Sequence, residues 1–469
     1  MNPRLPLMLL LASLLAQART DAAEAVRLPT TFDLPAIEAY LQSEVTQASR
    51  VGLSVVIVKD GRIVLARGFG RQSLTNPQPV EVTTRFAIGS VSKQFTCAAV
   101  LLLAEDGRLS VGDTVAKYYP DLTRAGDITL LDLMHHTSGY PDYYPLDFVD
   151  RRMQQPIAPD DLLRQYAGGK LDFEPGANWS YSNTGYILLG RVVERISGEP
   201  LGAFLQRRIF GPLGMTNTVY EPAHPVPQSA QGFTTFALSP PTPITPEGRG
   251  WLEGAGGIYS TPSDLARWDL ALMEGQVLKP ASYALMTTPR TLPNGRNTEY
   301  GCGVSVRLQQ GREVVAHNGA VAGFTAFNAM VPSTRSALVM TCNLDGGLGA
   351  LPGELLPLLM QEPAVVPVVE GPAAVDTVKA VFAGLQQGTV DRAALAPEFS
   401  HFLTGARLAG ASERLGKFGS PTETTLLTRR ERGGLEVTTT KLTFTNATLR
   451  VLMYRQPGGR IEQFFVDEE

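Results

Sequence analysis

Residues 85–107 read RFAIGSVSKQFTCAAVLLLAEDG, an apolar run that encloses a serine and a lysine three positions apart. From Val91 to Asp106 apolar side chains lie all round the helical wheel, and Gly107 follows as a C-terminal stop. The pattern predicts a central, buried helix. If this helix begins at Ser90, then Ser90 and Lys93 share one face, a turn apart.

The Ser-x-x-Lys pair has two interpretations, and about one such pair is expected by chance in a chain of this size. Ser90 is either a helix N-cap followed by a snorkelling Lys93, or a nucleophile. For a nucleophile, the helix N-terminus offers N–H groups to a developing oxyanion. Desolvation would lower the lysine pKa from about 10.4, so that the neutral amine accepts the serine proton.

The composition is that of an ordinary globular protein. The chain has 469 residues, 43% of them hydrophobic, which is enough for two or three domains with sizeable cores. The net charge is −4, 18% of the residues are charged, and no long basic run occurs. We therefore expect no nucleic-acid partner and favour a small-molecule or peptide substrate.

Residues 1–23 are predicted to be a signal peptide. The apolar stretch from Leu5 to Leu15 is followed by Ala16-Gln17-Ala18, which fits an A-x-A cleavage site. The stretch is shorter than the roughly 20 residues that span a bilayer, so we expect a periplasmic or secreted protein with no stable membrane span. An uncleaved anchor is the alternative, and a lipid anchor is not indicated because no cysteine lies near the cleavage site.

The three cysteines, Cys97, Cys302 and Cys342, cannot form a disulfide framework. Each lies in apolar or glycine-rich surroundings that suit a small buried side chain, and we interpret all three as structural. The alternative in an exported protein is that one pair is oxidised.

Strand patterns occur at both ends of the first three quarters of the chain. Residues 54–58 and 62–66 are β-rich and flank an Asp-Gly turn, and strand character returns from Glu313 to Asn343. The region between them, about 110–290, mixes helix and loop. The pattern predicts an α+β fold: an antiparallel sheet flanked by helices, with the first and last strands meeting in space.

The domain boundaries follow from composition. We predict a main domain over 30–350, a Pro-rich linker over 351–372, which is alternatively a covering arm, and a small α+β accessory domain over 373–469, with strand breaks at Gly433-Gly434 and Pro457-Gly458-Gly459. The accessory domain carries no obvious chemical constellation.

Two further motifs have chemical potential. In Tyr181-Ser182-Asn183, a phenol and an amide lie on one side of a short segment, although such a stretch is also an ordinary turn. In His317-Asn318-Gly319, a histidine ends a strand, and Gly319 would let a ligand or backbone approach closely. A strand histidine is also a common core residue.

Other candidate chemistry is not supported by the sequence. His135 and His136 are adjacent, so their side chains should diverge, and no H-E-x-x-H spacing accompanies them. The glycine-rich run 254–257 lacks a following Gly-Lys-Ser/Thr, and no G-x-S-x-G motif occurs. We expect no metal and no organic cofactor.

The order S-x-x-K, Y-x-N, H-x-G resembles the serine β-lactamase and penicillin-binding protein superfamily, in particular class C β-lactamases and their D-amino-acid peptidase and esterase relatives. The flanking stretches agree over roughly residues 35–345. They include FAIGSVSKQFT, ITLLDLMHHTSGYPDY, LDFEPGANWSYSNTGYILLG, IFGPLGMTNT and GAGGIYSTPSDLARW.

The resemblance implies a β-lactamase/transpeptidase-like fold, with a helical lobe beside the sheet and the site between them. It implies that Ser90 is the nucleophile, with Lys93 as its base and Tyr181 as a second proton-transfer group. Asn183 would orient the substrate amide. The implied remaining site residues are His317 and Gly319, which would line the site, and Ala320, whose backbone amide would form the oxyanion hole with that of Ser90.

The third motif departs from the Lys-Thr-Gly of many relatives. Here a permanent cation is replaced by His317, an imidazole that we expect to be charged only at mildly acid pH, so efficient β-lactam hydrolysis is not expected. The sequence thus predicts an exported serine hydrolase that acts on D-amino-acid peptides, β-lactam-like compounds or esters, as a carboxypeptidase or esterase. The alternative is a non-catalytic binding or sensing protein.

Overall fold

The computed structural model describes residues 26–47, 50–75, 77–144, 149–220, 226–361 and 366–468. The predicted signal peptide, 1–23, lies outside these residues. The chain divides into two compact units, residues 1–361 and 362–469. Within the described residues, every helix is too short or too polar to cross a membrane.

The first unit contains helices and strands in mixed order, as the α+β prediction requires. Its helices are α1 (Leu34–Gln47), α2 (Ser92–Glu105), α3 (Leu130–Met134), α4 (Pro159–Ala167), α5 (Asn183–Ser197), α6 (Leu201–Leu205), α7 (Glu253–Gly256), α8 (Pro262–Met273), α9 (Pro280–Met286) and α10 (Leu351–Leu359). Short 3-10 turns lie at Gly89–Val91, Val115–Lys117 and Pro332–Thr334, and a π-helical turn at Gln206–Phe210. Its strands are β1 (Gly52–Lys59), β2 (Arg62–Gly70), β3 (Phe86–Ala87), β4 (Val219–Tyr220), β5 (Phe233–Thr234), β6 (Thr242–Pro243), β7 (Ile258–Ser260), β8 (Ser305–Gln309), β9 (Arg312–Val321), β10 (Phe324–Val331) and β11 (Ser336–Cys342).

The main sheet of the first unit is antiparallel, with strand order β2-β1-β11-β10-β9-β8. The first and last long strands of the chain segment are neighbours, because β1 pairs with β11 from Leu53 opposite Cys342 to Val58 opposite Ala337. The prediction that these strands meet is confirmed. The turn between β1 and β2 has positive φ at Asp60 (51°) and Gly61 (77°), as an Asp-Gly hairpin requires.

The sheet is covered on both faces. Strand β1 sends Val56 and Val58 into the core that contains α2, and Val55 and Ile57 into the core on the opposite face. All residues of α2 from Ser92 to Leu103 are buried, so the predicted central helix is confirmed. Its N-terminus differs slightly from the prediction, since Gly89–Val91 forms a 3-10 turn and the α-helix begins at Ser92.

Helix α10 lies inside the segment 351–372 that the sequence analysis assigned to a linker. Its five leucines are buried in the core on the face of the main sheet opposite α2 (Leu351, Leu355, Leu356, Leu358 and Leu359). The first part of that segment is therefore part of the first unit. Two of the five prolines that suggested a linker lie in this helix, Pro352 in its first turn and Pro357 in its interior.

The second unit packs three helices on one antiparallel sheet. The helices are α11 (Ala374–Gln386), α12 (Pro397–Phe402) and α13 (Gly405–Leu415), with 3-10 turns at Arg392–Ala394 and Gly416–Phe418. The strands β12 (Glu423–Arg432), β13 (Leu435–Thr443), β14 (Thr448–Arg455) and β15 (Ile461–Glu468) follow in spatial order. The predicted breaks at Gly433-Gly434 and Pro457-Gly458-Gly459 fall between strands.

Two glycines allow the turn before α2 to touch β9. A methyl group on Gly319 would lie 1.9 Å from the carbonyl oxygen of Ile88, and one on Gly89 would lie 2.8 Å from the amide nitrogen of Ala320. Gly89 also has φ +51°, which favours glycine. The close backbone approach predicted for Gly319 is therefore a contact with the turn that carries Ser90.

We expect Gly319→Ala to lower the free energy of unfolding by on the order of 3 kcal/mol, because the methyl group meets a backbone carbonyl that cannot move independently. Gly126→Ala is the matched control, since a methyl group there meets nothing within 4 Å. Thermal and denaturant unfolding of both variants measures the effect. Equal stability of the two variants would contradict the contact.

Candidate active site

The residues predicted from the three motifs meet at one cleft of about 1140 Å³ in the first unit. Six of them line its wall: Ser90, Tyr181, Asn183, His317, Gly319 and Ala320. The seventh, Lys93, is fully buried and donates a hydrogen bond to Ser90. The folded chain thus joins residues from the start of α2, the segment before α5, and β9.

As an ammonium group, Lys93 Nζ donates to three oxygen atoms from three parts of the chain. They are Ser90 Oγ at 3.0 Å, Asn183 Oδ1 at 2.7 Å and the Ala255 carbonyl oxygen at 2.8 Å. The snorkelling interpretation of Lys93 is corrected, because a side chain with no exposed surface does not reach solvent.

Burial lowers the pKa of Lys93 to about 7, and the carboxylate of Asp142 opposes that shift. Near neutral pH much of the lysine is therefore a free amine with two hydrogens and one lone pair. The carbonyl oxygens of Asn183 and Ala255 can only accept, so they take the two hydrogens. The lone pair is left facing the Ser90 hydroxyl, which can donate to it.

Tyr181 lies beside the same pair. The Lys93 ammonium is 4.9 Å from the centre of its ring. Burial raises the pKa of the Tyr181 phenol well above its usual value, and a hydrogen bond with Ser90 only partly offsets this. The phenol therefore stays protonated across the physiological range, which makes it a proton donor or relay.

His317 is held as a neutral imidazole with both nitrogens occupied. Nδ1 lies 2.6 Å from the Asn318 carbonyl oxygen, which can only accept, so Nδ1 carries the hydrogen. Nε2 accepts from the Tyr300 hydroxyl at 2.8 Å. Burial, with Lys93 nearby, lowers the pKa of His317 to about 3. The expected charge at mildly acid pH is corrected: the ring stays neutral there.

Three residues near the site were not identified from the sequence. Asp142 binds the Asn183 side chain, Tyr300 fixes His317, and the ring of His136 packs on Tyr181 with centroids 4.3 Å apart. Burial lowers the pKa of His136 well below its ordinary value, so it acts as a neutral ring. Asp142 and His136 both lie in the HHTSGYPDY stretch, but nothing in it shows what they touch.

The tyrosines at the end of this stretch and directly after it both pack against the protein and line the cleft. Tyr140 donates to the Thr123 carbonyl oxygen, and Tyr144 donates to Glu247 Oε1 at 2.9 Å. Tyr143 donates to the Trp251 carbonyl oxygen, and both Tyr143 and Tyr144 line the cleft. Residues 145–148 lie outside the described residues.

Within the part of the chain that the structure describes, all three cysteines are free thiols, and all three are buried. Cys97 Sγ donates to the Tyr186 hydroxyl at 3.5 Å, and Cys302 Sγ lies 3.7 Å from His135 Nε2. Burial raises the pKa of all three thiols, so none is a reactive thiolate near neutral pH. Over the same described residues, acidic, histidine and cysteine side chains form no group of three that could hold a metal ion.

The chain is similar to known bacterial proteins. Residues 37–354 match the Beta-lactamase family. The chain is 30% identical over 312 residues to the putative penicillin-binding protein PbpX of Bacillus subtilis, covering 66% of this chain and 75% of that protein. It is 27% identical over 329 residues to a D-aminopeptidase of Brucella anthropi, covering 69% of this chain and 62% of that enzyme.

Solved structures show the same fold. The D-amino acid amidase from Ochrobactrum anthropi SV3, complexed with D-phenylalanine, superposes with a TM-score of 0.61 at 22% identity, covering 69% of this chain and 98% of that one. The octameric penicillin-binding protein homologue from Pyrococcus abyssi has a TM-score of 0.60 at 19% identity, covering 93% of this chain and 100% of that one.

Lys93→Met is expected to change the pH dependence of stability. Between the folded pKa of about 7 and the unfolded value of 10.5, the unfolded chain holds a proton that the folded chain lacks. The free energy of unfolding of the wild type should therefore rise with pH, relative to the variant, by about 1.4 kcal/mol per unit.

Denaturant unfolding between pH 7 and 10, followed by tryptophan fluorescence, measures this slope, since all three tryptophans lie in the first unit. Lys117→Met is the control, because that lysine is 54% exposed and paired with Asp113. Parallel pH curves for the wild type and Lys93→Met would contradict the assignment.

Proposed function

The chain belongs to the beta-lactamase family of hydrolases, and we propose that it is a serine hydrolase that forms an acyl-enzyme on Ser90 and cleaves amide or ester bonds of D-amino-acid substrates. The observation that carries the proposal is the buried Lys93 amine, whose hydrogens go to two carbonyl oxygens and whose lone pair faces the Ser90 hydroxyl. This is the arrangement that general-base activation of a serine needs.

Acylation begins when Ser90 Oγ attacks the substrate carbonyl carbon and its proton passes to Lys93 Nζ. The carbonyl oxygen becomes an oxyanion, which the backbone amides of Ser90 and Ala320 would bind, each donor being worth on the order of 3 kcal/mol. The contact of Gly89 and Gly319 with the opposite backbones supports this pairing.

The tetrahedral intermediate then collapses and expels an amine or alcohol. The leaving group needs a proton, and the protonated Tyr181 phenol beside Ser90 can supply it and recover one from Lys93. Deacylation reverses the roles: water loses a proton through Tyr181 and Lys93 and attacks the ester carbon. The bond from this carbon to Ser90 Oγ then breaks, and the serine is reprotonated.

The charges of the cleft support an amide or ester substrate over a β-lactam. His317 is neutral, so it gives a carboxylate no permanent cation. Arg307 is the only lysine or arginine among the residues that line the described cleft, and it is paired with Glu299 at 2.9 Å. Similarity to a D-aminopeptidase and fold likeness to a D-amino acid amidase also support D-amino-acid amides.

A substrate panel tests the function. We expect turnover of a D-amino-acid amide, a D-Ala peptide or a short-chain nitrophenyl ester, slower hydrolysis of a chromogenic cephalosporin, and covalent labelling by a fluorophosphonate. Ser90→Ala should abolish turnover and labelling together, because no other group replaces the nucleophile. Full activity in this variant would overturn the mechanism.

The same panel separates the alternative of a binding or sensing protein. A labelled adduct on the wild type that persists for hours, with no turnover of any substrate, would favour that alternative. Ser92→Ala is a useful comparison, because Ser92 accepts from Ile258 N at 3.2 Å and is not placed in the catalytic chain. This variant should keep the labelling of the wild type.

We also propose that the protein is exported to the periplasm or secreted, on the pattern of residues 1–23. Expression in an export-competent bacterium followed by intact-mass measurement tests this proposal. We expect an extracytoplasmic chain that lacks at least residues 1–18. A chain retained in the cytoplasm with its N-terminal segment intact would contradict export.

A further inference from the structure

Asp142 lies in the wall of the cleft and binds Asn183 in three ways. Its Oδ1 accepts from the Asn183 backbone nitrogen at 3.0 Å and from the Asn183 side-chain nitrogen at 3.1 Å, and its Oδ2 accepts from the same side-chain nitrogen at 3.2 Å. The backbone nitrogen of Tyr144 also donates to Oδ1 at 3.2 Å. The carboxylate is therefore fixed by its own loop while it holds the first residue of α5.

This contact determines which way the Asn183 amide faces. An ionised carboxylate can only accept, so it requires the amide nitrogen on its own side. The amide oxygen is then directed at Lys93 Nζ, 2.7 Å away. A flipped amide would bring its oxygen against the carboxylate of Asp142, which is unfavourable. Its two hydrogens would face Lys93, where they would compete with the Ser90 hydroxyl for the amine lone pair.

The amide orientation in turn determines where the Lys93 lone pair points. One amine hydrogen is taken by the Ala255 carbonyl, which is part of the backbone and cannot turn away. The second is taken by the Asn183 oxygen only while the amide keeps its orientation. If the amide turned, the amine would lose this acceptor and its lone pair would no longer be aimed at Ser90.

We propose that Asp142 is a positioning residue for the nucleophile: it holds the Asn183 amide so that Lys93 presents its lone pair to Ser90. The inference rests on the proposed function. Asp142 acts through Asn183 and Lys93, and this positioning of the Lys93 lone pair needs no contact between Asp142 and the substrate.

The charge of Asp142 gives the proposal a distinct signature. It is the largest influence that raises the pKa of Lys93 against the effect of burial. The other titratable groups that face Lys93 stay uncharged near neutral pH: they are Cys97 on α2, Tyr181, Tyr186 on α5, His136, and His317 on β9. Loss of the Asp142 charge should therefore shift the titration of Lys93 to lower pH.

Asp142→Asn keeps the size of the side chain but removes the charge and faces the Asn183 amide with a donor as well as an acceptor. We expect kcat to fall on the order of 10- to 100-fold and the acid limb of the kcat/KM profile to move to lower pH. Asp142→Glu keeps the charge, so its acid limb should stay near the wild-type position although its rate falls. Asp127→Asn, an exposed carboxylate paired with Arg124, is the control and should match the wild type.

The pH readout separates positioning from mere support of α5, because loss of a helix cap lowers stability without moving a catalytic titration. A fall in kcat with an unmoved acid limb, or an unchanged kcat, would overturn the proposal. If Asp142→Asn does not fold, Asp142→Glu carries the test, since wild-type kcat in that variant would equally overturn it.

A second measurement does not depend on activity. NMR of ¹³C-labelled lysine, with the Lys93 signal identified by its loss in Lys93→Met, reports the titration of this group directly. We expect a midpoint near 7 in the wild type and a lower one in Asp142→Asn. A wild type that shows this titration but neither labelling nor turnover would contradict the proposed function alone, whereas an unmoved midpoint in the variant would contradict the role of Asp142.

Discussion

The site depends on one interaction: an amine buried without access to water that is bound by oxygen atoms from three separate segments. Lys93 lies in the first turn of α2. The three oxygen atoms that bind it belong to Ser90 in the preceding turn, to Asn183 in α5 and to Ala255 in α7. Each unsatisfied polar group at this depth costs about 1–3 kcal/mol, so the three segments are held in one arrangement. The condition that lowers the pKa of the amine, burial, is thus also the condition that fixes its geometry.

The main sheet contacts the turn before α2 through glycines and backbone atoms alone. Gly89 and Gly319 bring the turn that carries Ser90 directly against β9. The nucleophile is therefore placed against the strand by backbone geometry, while its base is placed by hydrogen bonds from the helical part. Backbone atoms move less than side chains do. The position of Ser90 relative to Ala320 is therefore fixed more firmly by this backbone contact than it would be by contacts between side chains.

Local patterns predicted much of this fold. The α+β class, the family, the buried α2 and the pairing of the first and last strands are confirmed, because apolar periodicity and short motifs are properties of contiguous residues. The roles of the motif residues stay predictions. The predicted charge of His317 at mildly acid pH was wrong, because burial and the Tyr300 hydroxyl keep the ring neutral. Distant parts of the chain supply both, so the local motif does not show them. Asp142 was not identified because its partner, Asn183, also comes from a distant part of the chain. Helix α10 was not predicted because Pro352 and Pro357 are typical of loops.

The three oxygens around Lys93 Nζ have a further consequence for the proton itself. A free amine has two hydrogens for the two carbonyl acceptors, and an ammonium has a third for the serine oxygen, so the same three partners satisfy both forms. Proton transfer from Ser90 then requires one hydrogen to cross a single hydrogen bond while every heavy atom stays in place. The reorganisation that water would have to undergo around a newly formed charge is completed here when the chain folds.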